Sequence, residues 1–118
     1  MQKAAKGNNN LMDMVPHRMV RWEENKEKQL IILLKPKFRI NFIQKRLKYP
    51  YLRVKLDHSG SRIWKNIDGK KTIFTIANDL QNRSDVPMEQ LYERVAAFIK
   101  DMENNRLIRL ESAIRPDS

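Results

Sequence analysis

Hydrophobic and polar residues alternate along two short segments of this 118-residue chain. In residues 20–24 (VRWEE) the apolar positions fall on one side, which predicts a half-buried strand. A continuous apolar run at residues 30–34 predicts the returning strand, and Pro36 ends it because proline cannot donate to a sheet ladder. The second alternating segment, residues 51–56 (YLRVKL), predicts a third strand. Together these patterns predict a small antiparallel sheet.

After residue 56 the apolar period lengthens to that of a helix, and three helices follow. Asp57 and Thr72 stand at N-cap positions, where their side chains can accept free backbone amides. We expect Asp68-Gly69 to close the first helix, because glycine takes the left-handed conformation easily, and Asn104-Asn105 to end the third. Gly60 within an apolar stripe predicts a close approach by a neighbouring helix or strand. The three stripes are Gly60, Ile63, Trp64 and Ile67; Ile73, Ile76, Ala77 and Leu80; and Met88, Leu91, Tyr92, Val95, Phe98, Ile99 and Met102.

Residues 38–48 (FRINFIQKRLK) form a basic insert between the second and third strands. Their apolar positions follow helical spacing, which predicts a short amphipathic helix or helical turn. Tyr49-Pro50 ends it, since the residue before proline is pushed out of the helical region. Packing against the domain is favoured over a membrane-surface or nucleic-acid element, which usually has a longer amphipathic face.

The resulting fold class is α+β: a small antiparallel three-stranded sheet followed by three helices, similar to a winged helix-turn-helix. Residues 15–110 are expected to form one domain that contains the basic insert. Residues 1–14 and 111–118 are expected to be tails. A short last strand is expected at residues 107–110, at the end of the domain.

Charge distinguishes the two halves of the chain. The net charge is +10, and residues 1–50 contribute +8 of it, with twelve Lys and Arg against four acids. Such an excess points to an anionic partner or simply to a soluble surface, and the two interpretations are equally favoured. No apolar run approaches the length of a membrane span, and the first residues lack a secretion signal, so a cytoplasmic protein is expected.

Residue patterns typical of catalysis are missing from the sequence. The chain has no cysteine, and His17 and His58 are isolated, which gives no support for a metal site. There is no nucleophile elbow and no glycine-rich phosphate loop. Trp22 and Trp64 both fall on apolar faces, which favours core packing over base stacking. We therefore expect a protein that is not an enzyme and holds no cofactor.

Two binding functions remain open on the residues alone. The basic total and the helix-turn-helix pattern favour a DNA-binding regulator, but the exposed face of the third helix is acidic on balance, with four acids against Arg94 and Lys100. The alternative is capture of an extended peptide by strand addition to the exposed edge of residues 51–56. There, Arg53 and Lys55 could attract an acidic peptide.

Two runs of residues carry a recognisable pattern, one from the third strand to the second helix and one in the third helix and last strand. They are Leu56, Asp57, Gly60, Ser61, Ile63, Trp64, Ile67, Asp68, Gly69, Thr72, Ile73, Ile76, Ala77 and Leu80, then Val95, Phe98, Ile99, Met102, Leu107 and Ile108. With these positions, residues 51–110 resemble the PqqD-like family, the coenzyme PQQ synthesis protein D family, and the hairpin of residues 20–34 adds looser support.

The resemblance implies a peptide-recognition element. Proteins of this family bind the leader segment of a ribosomally made precursor peptide and present it to a modifying enzyme, often a radical SAM protein. The peptide adds as a strand to the third strand, in a cleft with the third helix. The basic insert departs from the compact family pattern. Carried over to this chain, the peptide-binding residues are expected to be Tyr51, Leu52, Arg53, Val54, Lys55 and Leu56, with Tyr92, Ala96 and Ile99.

Overall fold

The computed structural model describes residues 10–37 and 45–113. These residues contain a short 3-10 turn, five β-strands and three α-helices, so the α+β prediction with a small antiparallel sheet and three helices is confirmed. The elements in chain order are the 3-10 turn Leu11–Asp13, β1 (Met14–Arg18), β2 (Arg21–Asn25), β3 (Leu30–Pro36), β4 (Tyr51–Lys55), α1 (His58–Lys65), α2 (Ile73–Gln81), α3 (Met88–Asn104) and β5 (Ile108–Ser112).

The strands form two separate antiparallel sheets. One is the predicted three-stranded sheet, in the order β2-β3-β4. The other pairs β1 with β5, so that Met14 lies opposite Ser112 and Arg18 opposite Ile108. Residues 10–14 and 111–112, assigned to tails from the sequence, thus belong to a 3-10 turn and a strand pair. Strand β1 gave no alternating pattern because its two buried residues, Val15 and Pro16, are consecutive.

The three helices and β3 enclose the hydrophobic core. Trp64 at its centre is fully buried, as predicted, and the apolar stripes of the helices supply most of the other core side chains. Trp22 does not follow the core prediction, since it is 41% exposed, and all of β2 lies at the surface. It packs edge-on against Trp64, with ring centroids 6.0 Å apart, and therefore covers the core rather than filling it.

Arg18 packs against the partly exposed Trp22 and the end of α1. Its guanidinium lies 4.3 Å from the centroid of the Trp22 ring, a cation–π distance, and donates to the carbonyl oxygen of Trp64 at 2.8 Å. Burial lowers the pKa of Arg18, and the charge of Asp68 acts in the opposite direction. The β1 strand is thereby joined to the carboxyl end of α1.

Both predicted N-caps are present, but the helix ends differ from prediction. Asp57 Oδ1 accepts from the Gly60 amide at 2.7 Å, and Thr72 Oγ1 accepts from the Thr75 amide at 3.1 Å. Helix α1 ends at Lys65, before Asp68-Gly69, so Gly69 with φ of 78° serves the following turn. Thus the prediction that Asp68-Gly69 closes the helix is wrong, because the chain leaves the helix one turn earlier.

Two further predictions concern the end of α3 and the basic insert. Helix α3 ends at Asn104 as expected, but Asn105 has φ of −94° and the left-handed residue is Arg106, with φ of 61°. The helix predicted within residues 38–48 lies mainly outside the described residues, which resume at Lys45.

Candidate functional site

Strand β4 forms one edge of the three-stranded sheet. It pairs with β3 on one side, and no other strand of residues 10–37 and 45–113 pairs with it on the other. An edge strand presents backbone amides and carbonyls in the plane of the sheet, where a further strand can add. This edge is the one that the sequence selected at residues 51–56.

The β3–β4 register shows which residues of β4 bond inward. The Leu56 amide donates to the Ile31 carbonyl at 2.9 Å, and the Lys37 amide donates to the Pro50 carbonyl at 3.0 Å. Since hydrogen-bonded and non-bonded pairs alternate in an antiparallel ladder, the even-numbered residues of β4 bond to β3. Leu52 and Val54 are those residues.

The same alternation directs three backbone amides and carbonyls away from β3. They belong to Tyr51, Arg53 and Lys55, which lie opposite Pro36, Leu34 and Ile32 as non-bonded pairs. An added strand would therefore bond to these odd-numbered residues. The register thus identifies which backbone donors and acceptors the predicted edge offers.

Ser61 of α1 holds the end of this ladder in place. Its hydroxyl oxygen accepts from the Ile31 amide at 2.8 Å, and the hydroxyl donates to the Leu56 carbonyl at 3.4 Å. The side chain is 2% exposed and takes the place of the second backbone bond of this pair, from the Ile31 amide to the Leu56 carbonyl. One buried hydroxyl thus ties α1 to β3 and to the residue after β4.

The side chains of β4 follow the predicted two faces. Val54 and Leu56 contact the core or lie within it, whereas Leu52 on the same face is 50% exposed. On the other face, Arg53 pairs with Glu23 of β2, with Nη2 and Oε1 2.9 Å apart. Both side chains are more than half exposed, so this ion pair contributes little to stability and is readily exchanged.

Helix α3 meets α1 immediately after β4. A Cβ built on Gly60 would lie 2.9 Å from Cε1 of Phe98, so the predicted close approach at Gly60 is confirmed and the approaching element is α3. Phe98 is half-buried. It is therefore the residue by which the carboxyl-terminal half of α3 packs against the first turn of α1.

The three α3 residues predicted for the site differ in their exposure and neighbours. Tyr92 lies next to Phe74 of α2, with ring centroids 5.8 Å apart. Ala96 is half-buried and Ile99 is completely buried in the core. The structure brings the β4 residues together along one edge but puts Tyr92 on the α2 side of α3. Sequence analysis placed Phe98 in the apolar stripe without a site role, because periodicity does not tell which edge of a stripe faces a strand.

Ser61 was the other residue whose role the sequence did not reveal. It appeared only as a matched position, although a serine one turn before the buried Trp64 was a signal of a buried polar contact. In the described part of the chain there is no group of three or more His, Asp or Glu side chains that could hold a metal ion. Nor does any helix there have the length and apolar character to cross a membrane.

The family comparison matches this part of the chain. The model of coenzyme PQQ synthesis protein D (PqqD) matches residues 51–108, from the first residue of β4 to the first residue of β5. No match was found among curated proteins or solved structures. The family suggests an accessory protein of PQQ biosynthesis, and nothing in the match supports DNA binding. From β4 to the start of β5, the chain is PqqD-like, as its sequence predicted.

Proposed function

We propose that this protein is a non-catalytic, cytoplasmic accessory protein that captures the leader segment of a ribosomally made precursor peptide. The leader adds as a strand to β4, and the complex is presented to a modifying enzyme of the radical SAM type. The single observation that supports this function most is the β4 edge, with the outward backbone of Tyr51, Arg53 and Lys55. The PqqD family match covers that strand and all three helices.

Backbone pairing would supply affinity, and the flanking side chains would supply selectivity. The exposed Leu52 offers an apolar contact on the core side of the edge. Arg53 and Lys55 offer positive charge on the other side, where Glu23 is the only acid that pairs with either of them among the described residues. The leader that fits carries alternating apolar and acidic residues, so that each set meets its own face of β4.

A second wall for the leader would come from α3. In the winged-helix-like arrangement that we infer, the third helix lies beside the third strand of the sheet. Phe98 supports this arrangement, since it contacts the start of α1 directly after β4. Tyr92 and Ala96 remain candidates for the same wall on the sequence prediction, although Tyr92 lies against Phe74.

The β3–β4 register identifies which residue of β4 to substitute in a test of strand addition. Proline at position 53 removes an outward amide and leaves the β3–β4 bonds intact, because an edge strand tolerates proline where its amide faces solvent. We expect Arg53→Pro to weaken binding of a fluorescein-labelled leader segment of a PQQ precursor peptide by about tenfold, the loss of about one hydrogen bond. Fluorescence anisotropy measures the affinity, and circular dichroism checks the fold.

Two controls separate the backbone from the side chain. Arg53→Ala removes the same charge but keeps the amide, so it should retain most of the affinity. Val54→Pro removes an inward amide and should disrupt the sheet itself. Strand addition at β4 is refuted if Arg53→Pro remains folded and binds the leader as tightly as Arg53→Ala does.

A further inference from the structure

A groove separate from the β4 edge opens between one side of α1, the end of α2 and the start of α3. Its volume is about 590 Å³, and no residue of β4 lines it. The floor is apolar: Ile63 and Leu91 are almost fully buried there, while Leu80 and Val86 are half-buried. A cleft of this size accommodates one or two large side chains of a partner.

The rim of the groove is positively charged and has no compensating acid. Arg62, Arg83 and Arg94 line it, and all three are exposed. Lys65 also lines it but is held by Glu24, with Nζ and Oε2 2.8 Å apart. No aspartate or glutamate is among the lining residues, and the three arginines form no ion pair with any described residue. Each arginine is therefore available to a carboxylate from outside.

We propose that this groove docks an acidic amphipathic helix of a partner protein, with a leucine-like side chain on the floor and carboxylates paired to Arg62 and Arg94. The charges of groove and helix are complementary, and planar guanidinium groups suit bidentate contacts with carboxylates. The proposal does not depend on leader capture, because the groove and the β4 edge share no residue.

The shape of the groove favours a protein partner over nucleic acid. A phosphate backbone needs cations but no apolar contact, whereas these arginines surround a recessed apolar floor. The outer face of α3 adds Glu89 and Glu93, both exposed, within the first two turns of the helix. These acids oppose entry of α3 into a DNA groove, but they do not line the groove described here, to which α3 contributes Leu91 and Arg94.

The test uses the full chain and a defined probe. The probe is an alanine-based helical peptide that carries one leucine with glutamates one turn before and after it; a matched peptide carries glutamines instead. A helical probe cannot add to β4 as a strand, so it reports on the groove alone. Heteronuclear NMR titration should shift the backbone amides of Ile63 and Leu91, with a dissociation constant below about 1 mM.

Two double variants provide the comparison. Arg62→Gln with Arg94→Gln should weaken binding of the glutamate peptide by about tenfold, since two charge-assisted contacts are lost. Lys26→Gln with Lys28→Gln, in the exposed β2–β3 turn, removes the same charge elsewhere and should leave affinity unchanged. Leader binding at β4 should be equal in both variants, so a failure here is distinct from a failure of strand addition.

Three outcomes would overturn the proposal. One is the absence of shifts at about 1 mM peptide, and another is equal binding of the glutamine peptide. The third is displacement of the peptide by a short DNA duplex that shifts the same amides at lower concentration, which would assign the groove to nucleic acid.

Discussion

Replacing Ser61 with alanine tests whether one hydroxyl fixes the end of the β3–β4 ladder. In the folded protein that hydroxyl accepts from the Ile31 amide at 2.8 Å, and Ile31 is fully buried. Alanine removes the acceptor without adding bulk. The Ile31 amide would then be buried without a hydrogen-bond partner, because water does not have access to a fully buried amide.

The expected loss follows from these contacts. A buried donor left unsatisfied costs about 1–3 kcal/mol. The bond to the Leu56 carbonyl is long, at 3.4 Å, and adds little. Alanine regains about 0.5 kcal/mol because it is the better helix former. The net expectation is a loss of about 0.5–2.5 kcal/mol, or a fall in Tm of about 2–10 °C for a domain of this size.

Ser59 provides the matched control in the same helix. It is half-buried and makes no side-chain hydrogen bond with the described residues, so Ser59→Ala gains helix propensity without losing a contact. Urea unfolding followed by circular dichroism gives the free energies, and hydrogen exchange reports on the Ile31 amide. If Ser61→Ala is as stable as Ser59→Ala and protects Ile31 equally, the role of the hydroxyl bridge is refuted.

Three further substitutions test local features of the fold. Asp57→Ala removes the cap to the Gly60 amide and should cost about 1 kcal/mol in urea unfolding; an unchanged midpoint would contradict the cap. Gly69→Ala forces a side chain onto φ of 78° and should cost about 1–2 kcal/mol, measured by thermal unfolding, whereas an unchanged Tm would mean that the turn relaxes. The backbone amides of Lys71 and Lys70 donate to the Asp68 carboxylate and lower its pKa below the ordinary value of 3.8. The Asp68 carboxylate therefore stabilises the folded protein fully above that ordinary value, and this stabilisation is lost as pH falls through the lower pKa of the folded state. Asp68→Asn should accordingly flatten the acid side of a plot of Tm against pH. A plot parallel to that of the unsubstituted protein would argue against this role.

The helical half of the molecule was predictable because its signals are local. Asp57 and Thr72 cap helices through amides three residues away, and the apolar stripes need only a 3.6-residue period. These features lie within one or two turns of chain, and the predicted cores of α1, α2 and α3 agree with the structure. The PqqD-like pattern is built from the same positions, which is why the sequence identified the family.

Strands were predicted where the chain carries a local pattern, such as alternation at residues 20–24 and 51–56 or the continuous apolar run at residues 30–34. Strand β4 alternates and was found, whereas β1 pairs with β5 across almost the whole chain and carries no period of its own. Likewise, the helix end at Lys65 depends on Arg18, a distant residue that donates to the last carbonyls of α1. Contacts of this kind leave no local pattern to detect.

Sequence alone determined that this protein has a regular strand beginning at residue 51, three helices, two of them with side-chain N-caps, and no residue pattern typical of catalysis. Only the tertiary structure decided that the odd-numbered amides of β4 face outward, that Phe98 of α3 packs against Gly60 of α1, and that Arg62, Arg83 and Arg94 surround one groove. The reason is physical. Propensity and periodicity act between near neighbours, whereas ladder register and charge clustering arise when distant segments pack together.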